Sequence, residues 1–226
     1  MPDSIKLIIF DLDGTLVDAY QAVARSLNYT LKKIGLPAQD HQTIKRRVGW
    51  GDRNLVEWFV PVGKVDQALG IYRRHHKKSL RMGTKFLPGV RKLLNHLRRK
   101  HYRLAIASNR PTAYTLIILR YLKIENLFDC VLCADKVSRP KPAPDLLSQI
   151  MRRCSWKPFE ALYVGDMVID VQAGKRAGVK TIAIVTGSST KAEIRRQKPF
   201  RIVDHIGHVA EVIEELNINS RRGRNL

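Results

Sequence analysis

The sequence predicts an α/β protein in which an α-helical domain is inserted after the first strand of a doubly wound parallel sheet. Two observations carry this prediction: apolar runs typical of buried strands recur along the chain, and stretches with helical periodicity separate them. Strands that alternate with helices form a parallel sheet whose two faces those helices cover. The expected strands are 7–10, 103–107, 130–133, 161–164, 181–185 and 201–203, and the expected helices among them are 89–101, 111–122, 143–154, 167–177 and 206–216.

The first expected strand, Leu7–Phe10, consists of four apolar residues and leads directly into two carboxylates, Asp11 and Asp13. Such a run suits a strand that is buried on both faces of a sheet. Carboxylates at the end of a buried strand lose hydration, and a bound cation is the usual compensation. Because alternate residues of an extended chain share a face, Asp11 and Asp13 can reach one ligand together. Gly14 permits a tight turn, and the Thr15 hydroxyl can hydrogen-bond a neighbouring carboxylate.

More than ninety residues separate the first two expected strands, and this stretch has helical periodicity but no convincing strand. Residues 17–34 form one expected helix, and residues spaced four, three and four apart from Val65 to His76 mark a second. The insertion therefore predicts two domains, a core made of 1–15 and 86–226 and a helical domain of 16–85.

The chain has 226 residues, and its 41 basic and 20 acidic side chains give a formal net charge of +21 at pH 7. This charge favours anionic partners, namely phosphorylated metabolites, nucleic acid or membrane surfaces, and solvated helix faces on a chain rich in Lys and Arg are the alternative explanation. The basic residues are spread along predicted helices without the interleaved aromatic side chains of a single-strand binding surface, so nucleic acid is the less favoured partner.

Hydropathy and cysteine content predict a cytoplasmic protein without a membrane partner. No apolar run approaches the roughly 20 residues that span a bilayer, and the first strand begins too early to leave room for a signal peptide. Three cysteines do not make a disulfide framework. Cys130 and Cys133 have the spacing of a metal-binding pair, but three residues apart on a strand they point to opposite faces, so we expect them to be buried apolar residues.

Further polar residues follow the other expected strands or begin the helices after them. Ser108 and Asn109 follow one strand, Lys141 precedes a proline-rich helix start, and Asp166 follows another strand. Asp170 lies one helical turn after Asp166 on the same side. The carboxyl ends of parallel strands meet at one edge of a sheet, where ligands bind. These side chains are therefore expected to converge on one pocket.

The ordered set of motifs resembles the haloacid dehalogenase superfamily of phosphotransferases. The resemblance rests on Asp11-Leu12-Asp13-Gly14-Thr15, then Ser108, then Lys141, then Gly165-Asp166-x-x-x-Asp170. It implies a Rossmann-like core, and it makes the inserted helical domain similar to the cap of the branch that includes phosphoglycolate phosphatases. Asp13 separates the chain from the dehalogenases themselves, which lack that second aspartate.

The resemblance also implies roles for these residues. Asp11 would be the nucleophile that forms an aspartyl-phosphate, and Asp13 would protonate the leaving oxygen and later deprotonate the attacking water. Mg²⁺ would be the cofactor, held by Asp11, the backbone carbonyl of Asp13, and Asp166, with Asp170 binding directly or through water.

The remaining implied roles concern the phosphoryl group. Ser108 and the Asn109 amide would hold its oxygens, with Thr15 assigned to the same phosphate-binding set. Lys141 would neutralise charge on the phosphoryl group and on Asp11.

The expected function is hydrolysis of a small phosphorylated metabolite, with phosphoglycolate as the first candidate. Pyrophosphate, sugar phosphates and nucleoside monophosphates stay open as substrates, as does a sugar-phosphate mutase activity. A basic nucleic-acid-binding or polyanion-binding protein is the alternative of another class. Within the cap, two glycines flank Trp50, and we predict that Trp50 and Arg53 close over the substrate. A turn between helices with a packing tryptophan explains the same residues equally well.

Overall fold

A computed structural model of the chain describes the backbone of residues 4–222 and the side chains of residues 4–218. In that range the strands are β1 Leu7–Phe10, β2 Val17–Asp18, β3 Lys85–Phe86, β4 Arg103–Ser108, β5 Cys130–Cys133, β6 Ala161–Gly165, β7 Lys180–Ile184 and β8 Arg201–Val203. The α-helices are α1 Tyr20–Lys33, α2 His41–Lys45, α3 Asp52–Phe59, α4 Val65–Gly83, α5 Val90–Arg99, α6 Thr112–Tyr121, α7 Asp145–Cys154, α8 Val168–Arg176, α9 Lys191–Arg196 and α10 His208–Arg222.

Six of these strands form one parallel sheet in the order β5-β4-β1-β6-β7-β8. Strands β4 and β5 lie on one side of β1, and strands β6, β7 and β8, which follow later in the chain, lie on the other side. The strand order therefore reverses between β1 and β6, and such a switch point opens a ligand-binding crevice beyond the carboxyl ends of the strands. The predicted α/β fold with a doubly wound parallel sheet is confirmed.

The central strand β1 is buried on both faces, as its four apolar residues require. Ile8 and Phe10 pack into the apolar cluster on one face of the sheet, and Leu7 and Ile9 pack into the cluster on the other face. In the register of the sheet, Phe10 lies beside Ile106 of β4 and Val164 of β6. The polar residues that follow these three strands therefore emerge side by side at the same edge.

The inserted helices α1 to α4 have their own apolar cluster, which includes Leu27, Leu31, Val56 and Leu69. A short antiparallel ribbon, β2 paired with β3, joins their two ends to the sheet. The expectation of no strand in this stretch, and of a helix over all of 17–34, is therefore wrong. Residues 17 and 18 pair in the ribbon, and α1 begins only at Tyr20. We propose this ribbon as the junction between the predicted core and the predicted cap.

One helix boundary and one whole helix also differ from the expectation. Helix α10 extends to Arg222, beyond the expected end at 216, and the last four residues of the chain lie outside the described range. Helix α9 was not expected at all, although Thr190 and Glu193 form a capping box at its start. None of the helices in the described part of the chain is long and apolar enough to cross a membrane.

Candidate active site

The predicted convergence of polar residues occurs at the carboxyl edge of the sheet. Asp11, Asp13, Ser108, Asn109 and Lys141 line one pocket between the sheet and the inserted helices. Carboxylate oxygens of Asp11, Asp166 and Asp170 lie beside it, within 4.8 Å of one another. Residues up to 159 positions apart in the sequence therefore form one site.

Lys141 is the cation at the centre of this site. Its Nζ donates to Oδ1 of Asp11 at 2.6 Å, to Oδ1 of Asp170 at 2.8 Å and to the hydroxyl of Tyr163 at 3.0 Å. The Tyr163 hydroxyl in turn donates to Oδ1 of Asp170 at 2.7 Å. An ammonium has three donors, so these three contacts use all of them. Lys141 is thus held in one position, with a single charge shared between two carboxylates.

Burial disfavours the ionised form of these acids. It raises the pKa of Asp11 to about 7, with the opposing charge of Lys141 lowering it and the like charge of Asp170 raising it. Burial also raises the pKa of Asp166 well above its usual value, with the charges of Asp11 and Asp170 adding to the effect. One lysine therefore does not compensate the whole cluster, and a further cation would favour the ionised carboxylates.

The donor set fits a divalent cation. Oδ1 of Asp166 accepts from the Thr15 hydroxyl at 2.8 Å, whereas its buried Oδ2 has no hydrogen-bond partner among the described residues. An unpartnered buried carboxylate oxygen costs free energy unless a ligand such as a metal ion satisfies it. A cluster that offers only oxygen ligands suits Mg²⁺. Asp11 and Asp166 therefore offer oxygen atoms that fit the predicted metal.

At two glycines the backbone lies very close to the Asp166 carboxylate. A Cβ at Gly14 would lie 2.5 Å from Oδ2 of Asp166 and 2.5 Å from the Tyr20 hydroxyl, and the positive φ of +80° disfavours a side chain there as well. A Cβ at Gly187, in the loop after β7, would overlap the same oxygen. Gly14 was predicted from its place in the first motif, but Gly187 was not, because no local pattern marks it.

Asp13 does not share Lys141 with the acidic cluster but pairs with a different cation, Arg110. Both of its oxygens accept hydrogen bonds at 2.8 Å from Nε and Nη2 of Arg110, in a two-pronged ion pair. Nη1 of Arg110 contacts Nε2 of His76, in α4, at 2.7 Å. Arg110 directly follows the Ser108-Asn109 motif, but nothing in the sequence predicts its pairing with Asp13. His76 is predicted from sequence only as part of a helix face.

Ser108 and Asn109 shape the loop around Lys141. The Asn109 side chain accepts from the backbone N–H of Lys141 and donates to its carbonyl, each at 2.9 Å, and it also donates to the carbonyl of Gly49 in the cap at 3.1 Å. Ser108 is buried, and its Oγ accepts from the backbone N–H of Arg110 at 3.2 Å. Both residues line the pocket, and their roles toward a phosphoryl group stay predictions.

Three predicted residues lie elsewhere than expected. Thr15 is fully buried behind Asp166 and is not among the residues that line the pocket. Trp50 is 48% exposed, and Arg53 pairs with Glu57 and Asp66 on the cap surface. The structure therefore brings neither Trp50 nor Arg53 to the pocket. Their neighbours Gly49, Gly51 and Asp52 form part of its wall instead.

The pocket is lined by both parts of the chain. It contains a cavity of about 50 Å³. The inserted helices contribute apolar and aromatic side chains to its wall, among them Val23, Leu55 and Tyr72. A phosphoryl group at Asp11 would therefore have its leaving group under the inserted helices.

Comparison with known proteins agrees with this geometry. A family model described as haloacid dehalogenase-like hydrolase matches residues 8–184. The chain belongs to this hydrolase family. A phosphoglycolate phosphatase of Nitrosospira multiformis is 31% identical over 223 residues, which cover 95% of this chain and 98% of that protein. A phosphoglycolate phosphatase of Aquifex aeolicus is 32% identical over 183 residues, which cover 81% of this chain and 86% of that protein.

A solved structure shows the same likeness in three dimensions. The crystal structure described as that of a predicted phosphoglycolate phosphatase from Haemophilus somnus has a TM-score of 0.87 and 26% identity, covering 92% of this hydrolase and 97% of that chain. These comparisons confirm the predicted superfamily and the predicted class of enzyme, a phosphatase.

We predict that Mg²⁺ stabilises this hydrolase through Asp166. At a concentration about 100 times the dissociation constant, a bound ligand adds roughly 2.7 kcal/mol, which raises the Tm of a protein of this size by about 5–10 °C. Asp166→Asn should abolish that rise, whereas Asp66→Asn, on the exposed cap surface, should keep it. Thermal melts with Mg²⁺ and with EDTA measure the effect. An equal rise in the Asp166 variant would contradict the metal site.

We predict that, without Mg²⁺, ionisation of Asp11 destabilises the fold. Its pKa of about 7 in the folded protein lies above the value near 3.9 of an unfolded chain, so between these values the folded state binds the extra proton. Stability from this group is complete below about pH 4 and declines as the pH rises through about 7. The loss amounts to a few kcal/mol, at roughly 1.4 kcal/mol per pKa unit.

Urea denaturation in EDTA from pH 4 to pH 8 tests this prediction, with Asp11→Asn as the control because the variant keeps the other titrating groups. As the pH rises, the unfolding free energy of the wild type should fall steadily relative to that of the variant. A difference independent of pH would contradict the burial of an ionisable Asp11.

We predict that Gly187→Ala weakens Mg²⁺ binding, because the added methyl group displaces the Asp166 carboxylate. Gly63→Ala is the matched control, since a Cβ at Gly63 meets nothing within 4 Å. Titration of Mg²⁺ followed by Tm should show a weaker response in the Gly187 variant and an unchanged response in the Gly63 variant. Equal responses in both variants would show that the carboxylate tolerates the methyl group.

Proposed function

We propose that this protein is a Mg²⁺-dependent phosphomonoester hydrolase in which Asp11 is the nucleophile. One observation carries the proposal: the Asp11 carboxylate faces the pocket, is held at 2.6 Å by Lys141, and shares a carboxylate cluster with the unpartnered oxygen of Asp166. Phosphoryl transfer depends mainly on positioning and on charge stabilisation, and this arrangement supplies both.

The proposed reaction has two steps, both centred on Asp11. An Asp11 oxygen attacks phosphorus as the bond to the leaving oxygen breaks, and Asp13 gives that oxygen a proton. Water then attacks the aspartyl-phosphate, Asp13 takes a proton from it, and Asp11 is released with inorganic phosphate. Lys141 and the backbone and hydroxyl donors at Ser108 and Asn109 would stabilise the charge on the phosphoryl oxygens.

Asp11, Asp166 and the backbone carbonyl of Asp13 would hold Mg²⁺, which when bound supplies positive charge beside the phosphoryl oxygens. Asp170 is expected to act through water. Its Oδ1 accepts from Lys141 and Tyr163, and its Oδ2 accepts from the backbone N–H groups of Asp166 and Met167. A carboxylate offers about four lone-pair positions, so these donors already occupy Asp170.

The size of the pocket favours a small leaving group. The cavity here measures about 50 Å³, less than the roughly 150 Å³ that holds one benzene ring, so every candidate substrate needs the inserted helices to open to some extent. A two-carbon leaving group needs the smallest opening, and a nucleoside, a hexose or a nucleic-acid end needs a larger one. We therefore infer that phosphoglycolate, named in the relatives, is the first candidate substrate, with pyrophosphate the most compact alternative.

Phosphate release from a panel of substrates tests the proposed function. Phosphoglycolate should be hydrolysed faster than glucose 6-phosphate, adenosine monophosphate or pyrophosphate, and EDTA should abolish the reaction. Asp11→Asn should reduce turnover to background while still showing the Mg²⁺-dependent rise in Tm if Asp166 retains the ion. Preference for pyrophosphate would revise the substrate. No phosphate release from any ester, together with salt-sensitive binding of nucleic acid, would overturn the proposal.

A further inference from the structure

We propose that Arg110, held by His76 of the inserted helices, is the positioning residue for the acid–base carboxylate of Asp13. This inference rests on the function proposed above, in which Asp13 transfers protons at the leaving oxygen. It concerns side chains that the proposed chemistry does not itself use.

The two-pronged contact fixes the orientation of the Asp13 carboxylate. Arg110 donates from Nε to Oδ2 and from Nη2 to Oδ1, both at 2.8 Å, so both oxygens of the carboxylate are held by one rigid fork of donors. Each Asp13 oxygen uses one lone pair for Arg110 and keeps another for the proton that it transfers. A lysine could supply the same charge but not the same fork, and the carboxylate would then be free to rotate.

Arg110 is itself anchored from the inserted helices. A guanidinium has donors only, so Nη1 of Arg110 donates to Nε2 of His76 across 2.7 Å. His76 must then be neutral, with its proton on Nδ1, where it contacts the Ser26 hydroxyl at 3.1 Å. That hydroxyl donates onward to the carbonyl of Ala22 at 2.8 Å. Each donor in this chain of contacts therefore meets an acceptor.

The surroundings of His76 support the neutral form and a fixed position. His76 is fully buried, and burial together with the charge of Arg110 lowers its pKa well below the usual value. Its ring stacks on Tyr72 at 4.8 Å and meets the edge of Tyr114, in α6, at 5.4 Å. His76 in α4 thus contacts Arg110 in the core, and Arg110 in turn contacts Asp13. Asp13 is oriented when the inserted helices are docked.

The dependence of rate on the leaving group separates this role from a structural one. Ethyl phosphate releases ethoxide unless Asp13 supplies a proton as the P–O bond breaks. Acetyl phosphate, of similar size, releases acetate, which departs as an anion without a proton. The value of kcat/KM reports the steps up to release of the leaving group, and a positioned acid contributes about 10²–10⁴-fold there.

In Arg110→Lys, we expect kcat/KM for ethyl phosphate to fall by about 100-fold or more, and kcat/KM for acetyl phosphate to fall by less than about 10-fold. Arg120→Lys, a surface residue paired with Glu125, is the matched control and should leave both values unchanged. The Mg²⁺-dependent rise in Tm shows whether each variant is folded with an intact metal site.

Two variants of His76 test the anchor. His76→Phe keeps a ring against Tyr72 and Tyr114 but removes the acceptor for Arg110. It should therefore lower kcat/KM for ethyl phosphate more than for acetyl phosphate, but by less than Arg110→Lys does. His76→Gln restores an acceptor oxygen and should recover most of the rate with ethyl phosphate.

Equal losses on both substrates in Arg110→Lys would overturn the inference, because a contact between Arg110 and the phosphoryl group, or a general structural defect, would affect the two esters alike. Equal behaviour of His76→Phe and His76→Gln would overturn the part played by the inserted helices. If the wild type hydrolyses neither ester nor any other phosphate compound, the proposed function fails first, and the two failures are thereby distinguished.

Discussion

The site depends on the cost of burying several carboxylates together at the carboxyl edge of the sheet. Asp11, Asp166 and Asp170 are all buried, and like charges at such distances repel each other by roughly 4 kcal/mol per pair at an effective dielectric constant of 20. Lys141 compensates part of this repulsion through two short hydrogen bonds. The fold tolerates the remainder because the parallel sheet and its helices bury the apolar residues on both sides of β1. The apolar core thus stabilises the fold and the carboxylate cluster destabilises it, as expected where a ligand must bind.

The two aspartates of the first motif are held by different cations. Asp11 contacts Lys141, which is locked by the Asn109 side chain and Tyr163, whereas Asp13 contacts Arg110, which is locked by His76. Although they are two residues apart and line the same pocket, the two carboxylates are therefore oriented by different partners. This division suits the proposed chemistry, because a nucleophile and an acid–base group must approach the two ends of the same P–O bond.

Most of the fold could be predicted from sequence because its signals are local. Apolar runs marked each strand of the parallel sheet, and the spacing of carboxylates marked the residues that meet at its edge. The two-residue strands β2 and β3 carry no periodicity and exist only because their partner lies nearby. Tyr163 in β6 has the sequence pattern of one more core residue, and its hydroxyl meets its partners, Asp170 and Lys141, only in the folded chain. The pairing of Arg110 with Asp13 spans 97 positions, so no local pattern indicates it.

Two of the contacts between the inserted helices and the core differ in strength. On one side, Arg46 pairs with Glu193 near the surface and donates to the carbonyl of Ser188, and exposed ion pairs contribute only about 0–1 kcal/mol. On the other side, the link from His76 to Arg110 is buried, and breaking a buried pair costs about 3–5 kcal/mol when a charge is left without its partner. Arg110 keeps Asp13 if His76 moves away, so the charge itself stays compensated and only the anchor is lost. Separation of the inserted helices from the core would therefore leave both charges paired but would remove the anchor of Arg110. If Asp13 has the proposed acid–base role, access for the substrate and readiness for proton transfer are then coupled.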